Sequence, residues 1–115
     1  MNQYFFDSSA LVKRYVAEPG TLWLLELLTA RARYAPLVAQ IAQVEICSSV
    51  MRRAREGTLS QQEARLTRLL IDFDMAREYR VIALTGDVVA LAEDLRERHA
   101  LRASDAIQLA SALPK

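Results

Sequence analysis

Three acidic side chains, Asp7, Glu45 and Asp105, sit where a carboxylate needs an explanation. Asp7 closes a short aromatic run and opens Asp-Ser-Ser, so it is either a helix N-cap, worth ~1 kcal/mol, or an acid presented at a strand end. Glu45 lies mid-helix between Val44 and Ile46, four residues after Ile41 and three before Ser48. That spacing puts it beside an apolar stripe instead of opposite it. Either its head reaches past the boundary to water, or it is partly desolvated and requires a cation or donors. Asp105 begins the last helix, where negative charge is favourable by ~0.3–1 kcal/mol, or it stands as a third acid at the same end of the molecule as Asp7.

Brought together, these carboxylates would repel and raise one another's pKa values. A hard divalent cation reverses that cost. An oxygen-only ligand set, without His or Cys, favours Mg²⁺ or Mn²⁺ over Zn²⁺. Such a cation holds a phosphate oxygen, acidifies a bound water and stabilises a departing alkoxide. The chemistry indicated is phosphodiester hydrolysis.

The elements that must position these acids are legible in outline. Residues 3–6 predict a strand, residues 10–16 a short helix closed by Glu18-Pro19-Gly20, and Thr21 caps a second helix carrying Leu24, Leu25, Leu27 and Leu28. Tyr34-Ala35-Pro36 reads as a brief second strand. Leu37, Ile41, Val44, Ser48 and Met51 recur at helical spacing over residues 37–55, and Gly57 ends that element. Ser60 with Glu63 is a capping box that opens an amphipathic helix bearing Leu66, Leu69, Leu70 and Phe73, antiparallel to its predecessor. Residues 80–85 predict a strand buried on both faces, Gly86-Asp87 caps a helix over 88–98, and Ser104 or Asp105 opens the last helix through Leu113. Alternating strands and helices imply an α/β domain with a mostly parallel sheet, whose working crevice lies beyond the carboxyl ends of the strands.

The chain has 115 residues, enough for a single domain, with 52% hydrophobic and 25% charged residues. A net charge of +1 does not by itself indicate nucleic acid, although 13 of the 15 basic residues are arginine, which matches phosphate but also forms helices well. The single cysteine, Cys47, excludes an intrachain disulfide and reads as a buried thiol. The N-terminus does not have the pattern of a signal peptide, and no run approaches the ~18 apolar residues of a membrane span, so a cytoplasmic protein is expected.

Taken in order, Tyr4 to Tyr15, Gln40 to Ile46 and Leu101 to Leu113 resemble the three acid-bearing segments of PIN domains of the VapC toxin type. The likeness spans essentially the whole chain. It implies a three-layer α/β/α sandwich and an Mg²⁺- or Mn²⁺-dependent endoribonuclease in which Asp7, Glu45 and Asp105 bind metal. It further implies a homodimer inhibited by a small cognate antitoxin, and products with a 5′-phosphate and a 3′-hydroxyl. The family's final strand and fourth acid are expected to be missing, since the chain stops at Leu113-Pro114-Lys115. A PIN-like module that binds RNA or protein without cleaving is the alternative. A phosphohydrolase using Asp7 as nucleophile fits poorly, because the second Asp of such families falls on Ser9.

Other residues are read as structural. Asp87 reads as an N-cap, Asp72 and Asp74 as a solvated helix face, His99 as a helix C-terminal residue, and Trp23, Tyr15 and Phe73 as core or dimer packing. Ser8 or Ser9 can hydrogen-bond the site. Lys13, Arg14, Arg52, Arg53 and Arg55 are candidates for phosphate contact, with a solvated helix surface as the plainer reading.

Overall fold

The computed structural model describes residues 4–30 and 35–113. Three short parallel strands, β1 (Phe5–Phe6), β2 (Leu37–Ala39) and β3 (Arg80–Ile82), form one sheet in the order β1-β2-β3. Helices flank it: α1 (Ser8–Leu11) running into a 3-10 turn (Val12–Arg14), α2 (Thr21–Ala30), α3 (Ala42–Arg55), α4 (Gln61–Arg77), α5 (Gly86–Arg98) and α6 (Ala103–Ala112). This is the expected α/β architecture with a parallel sheet.

Two separate cores hold it. The larger gathers Phe6, Leu11, Val16, Leu24, Val38, Ile46, Val50, Ile71 and Met75 from the first two strands and α1 to α4. The smaller is confined to α5 and α6, where Val88, Ala92, Ala106 and Ala110 interlock. Three of those four are alanines, which let the helix axes approach closely. Helix α6 also packs on β2, so the central strand joins the two cores.

Local chemistry sets the boundaries. Ser60 Oγ accepts from the Glu63 N–H and Glu63 Oε1 accepts from the Ser60 N–H, each at 3.0 Å, which is the predicted capping box. The Ser60 N–H, and after it the Ser60 side chain, hold the Glu63 carboxyl below its ordinary range. Gly57 takes φ +85° just past α3, a left-handed conformation that costs a residue with a side chain but not glycine.

Several expectations are corrected. The second strand is Leu37–Ala39, after Pro36 instead of ending at it, and α3 begins only at Ala42; Tyr34 lies outside the described residues. Leu37, Val38 and Ala39 face partners in a sheet, and Leu37 belongs to no helical stripe. The first helix starts at Ser8 and tightens to a 3-10 turn at Val12. Strand β3 is an exposed edge, with Val81 36% accessible, and not a strand buried on both faces. Thr85, not Asp87, caps α5: its Oγ1 accepts from the Val88 N–H.

Helix α4 is rotated from its expected orientation. It buries Ala64, Ile71, Asp74 and Met75, while Leu69 (61% accessible), Phe73 (51%), Leu66 and Leu70 face outward. Both faces of this helix carry apolar residues, so periodicity alone does not decide between them. Trp23 is likewise exposed on α2, and Cys47 is half-buried.

Asp74 is the plainest reversal. It is 2% accessible and not on a solvated face. The Tyr15 hydroxyl donates to Asp74 Oδ2 at 2.7 Å, the Tyr79 hydroxyl joins Tyr15, and Arg14 Nη1 donates to Tyr79 Oη at 2.9 Å. Burial and the bond with Tyr79 push the Tyr15 phenol far above its ordinary range, so it stays a protonated donor. A buried carboxylate without donors is costly. Tyr15→Phe is therefore expected to destabilise the fold by about 1–3 kcal/mol in urea unfolding, and an unchanged midpoint would refute this role for Tyr15.

Candidate active site

All three singled-out acids line one cleft of about 870 Å³, together with Ser8, Ser9, Arg52, Arg102 and Gln108. Each acid reaches it at the start of a helix. Asp7 follows β1 directly and precedes α1; Glu45 lies in the first turn of α3, reached from β2 through Gln40 and Ile41; Asp105 lies in the first turn of α6. Glu45 was expected mid-helix, and the late start of α3 moves it to the positive end of the helix dipole. Asp105 has the same advantage on α6.

Each carboxylate is held by a local donor. Asp7 Oδ1 accepts from the Ala10 N–H at 2.9 Å and from the Ser9 hydroxyl at 3.0 Å, so the cap reading of Asp7 is correct as local structure. Glu45 Oε1 accepts from the Ser8 hydroxyl at 2.6 Å and from Gln108 Nε2 at 2.7 Å. Asp105 Oδ2 accepts from Arg102 Nε at 3.1 Å. Among the described residues, no three acidic, His or Cys side chains stand near enough to one another to enclose a metal ion. In kind, the donor set fits a hard divalent cation: carboxylate oxygens, with hydroxyl and amide groups behind them.

The basic candidates divide. Arg52 lines the cleft. Arg53 and Lys13 are spent on Glu18, at 2.6 Å and 3.0 Å, and Arg14 belongs to the Tyr79 and Asp74 network. Asp87 does not line the cleft, and His99 sits at the C-cap of α5 as expected. Sequence reasoning overlooked Arg102 and Gln108. Gln108 carried a signal, as a polar residue among Ala106, Ala110 and Ser111 on the buried face of α6.

Comparison with known proteins agrees with this arrangement. The PIN domain family matches residues 4–114. Ribonuclease VapC45 of Mycobacterium tuberculosis (strain CDC 1551 / Oshkosh) is 36% identical over 110 residues, covering 95% of this chain and 74% of the relative. Ribonuclease VapC49 of M. tuberculosis (strain ATCC 25618 / H37Rv) gives the same figures.

The double character of Asp7 makes a sharp prediction. Asparagine caps helices as well as aspartate does, so Asp7→Asn should leave stability within about 0.5 kcal/mol, whereas Asp7→Ala should cost about 0.5–2 kcal/mol. Equal losses in the two variants, measured by urea unfolding, would contradict the cap.

Proposed function

The chain belongs to the PIN domain family, and from that premise we propose that it is a divalent-metal-dependent endoribonuclease, the toxin of a toxin–antitoxin pair. One observation carries the reading: acids 38 and 60 residues apart in sequence (7 to 45, 45 to 105) line a single cleft. The naming of two relatives as ribonucleases supports RNA as the substrate.

Asp7, Glu45 and Asp105 would hold Mg²⁺ or Mn²⁺. The bound cation would counter the charge of the scissile phosphate and make water a competent nucleophile at neutral pH. The remaining work belongs to the chain. Ser8 and Gln108 fix the Glu45 carboxylate, and the first turns of α3 and α6 favour negative charge at the cleft. Arg52 and Arg102 offer guanidinium groups to flanking phosphates, with Arg102 exchanging Asp105 for substrate. Water attacks phosphorus and the P–O3′ bond breaks, leaving a 5′-phosphate and a 3′-hydroxyl.

The engagement of every acid by a local donor favours a second reading, a non-cleaving module that binds RNA or protein. The two readings part on one measurement. Cleavage of an RNA panel should require Mg²⁺ or Mn²⁺ and should fall on the order of 100-fold in Asp7→Asn and Asp105→Asn, at least the cost of disturbing outer groups around a metal. Arg52→Ala should keep the cut site and lower the salt slope of RNA binding by about one. Metal-independent cleavage, or full activity in both Asn variants, would reject the nuclease assignment; RNA binding without any cleavage would establish the alternative.

The exposed stripe of Leu66, Leu69, Leu70 and Phe73 supports a protein partner, in our reading a second copy of the chain together with a small antitoxin. Leu69→Lys with Phe73→Lys should shift the protein from dimer to monomer in analytical ultracentrifugation. A wild-type protein that is monomeric at high micromolar concentration would dismiss the homodimer.

A further inference from the structure

Gln108 is the most deeply engaged polar residue of the cleft that carries no charge. It is 8% accessible, three residues beyond Asp105 on α6, and its Nε2 donates at 2.7 Å to both Glu45 Oε1 and Ser8 Oγ. Its Oε1 is buried and without a hydrogen-bond partner among the described residues. An orphaned buried amide oxygen is destabilising, and a leucine of similar size would not bury one. Only the Nε2 end of the amide is therefore used, and Oε1 contributes nothing.

The geometry on Glu45 supplies a reason. Oε1 receives two donors, Ser8 Oγ and Gln108 Nε2, and is saturated, while no described residue bonds Oε2. The carboxylate is thereby fixed in rotation, with one oxygen spent on the protein and the other available. We infer that Gln108 is a positioning residue: it clamps Oε1 of Glu45 so that Oε2 alone is presented to a divalent cation, and it ties that oxygen to α6, which carries Asp105. The inference rests on the metal-dependent reading above. Groups that orient a metal-binding carboxylate typically change metal affinity 10–100-fold when removed.

Mn²⁺ binding by calorimetry on wild type and Gln108→Leu tests this. The variant should bind Mn²⁺ roughly 10–100-fold more weakly, while its metal-free circular-dichroism spectrum matches that of the wild type. RNA cleavage lost at low Mn²⁺ should return at saturating Mn²⁺, a rescue that a damaged fold would not give. Equal Mn²⁺ affinity in the two proteins overturns the positioning role and leaves the nuclease reading intact. A wild-type protein that binds no Mn²⁺ removes both. Should the variant not fold, titration of the wild type with Mg²⁺ decides: the Gln108 side-chain amide resonances should shift with the binding isotherm, and their constancy would overturn the role.

Discussion

A carboxylate withdrawn from bulk water has to be given a donor or a cation, and that requirement organises this protein. Asp74 is withdrawn furthest and receives the Tyr15 hydroxyl, itself backed by Tyr79 and Arg14. Glu45 is half-withdrawn and receives Ser8 and Gln108. Asp7 and Asp105, at the cleft surface, are answered by the first turn of a helix and by a neighbouring arginine. The difference between the first case and the others is one of access. The Asp74 network is closed into the large core and stabilises the fold, whereas the other three acids share an open cleft in which their donors can be exchanged.

The sheet is small, yet it sets the positions of two of the acids. With β1 and β2 parallel and adjacent, the segments that leave their carboxyl ends emerge side by side, and each turns directly into a helix. Asp7 and Glu45 therefore line the same cleft because two strands pair. Asp105 arrives differently, on a helix that packs against the central strand.

Much of this was readable in the sequence because the relevant signals are local. The capping box at Ser60, the glycine past α3 and the strand-end position of Asp7 each depend on a few adjacent residues. Asp7 and Asp105 were singled out because each sits at an element boundary, and Glu45 because it borders an apolar stripe. What was not readable depended on the third dimension. Asp74 and Asp72 flank Phe73 and look alike in sequence; only the approach of Tyr15 from 59 residues away makes one of them internal. Helix α4 has apolar residues on two faces, and the choice between them is made by α3. Leu37 fitted a helical stripe by spacing, but the sheet claimed it, and Glu45 moved from mid-helix to a first turn as a result. Gln108 looked like an ordinary helix residue because its partners are 63 and 100 positions away.

The division of the interior into two cores has a consequence for the cleft. Asp7, Ser8 and Glu45 ride on elements anchored in the large core, while Asp105 and Gln108 ride on α6, whose apolar partners lie chiefly on α5. The cleft thus lies where two separately packed clusters meet, joined by the packing of α6 on β2 and by the Gln108 amide on Glu45 and Ser8. Such a seam can part through a sub-global opening that leaves both interiors dry, at lower free energy than full unfolding. The arrangement of the cleft is then less durable than the fold that carries it.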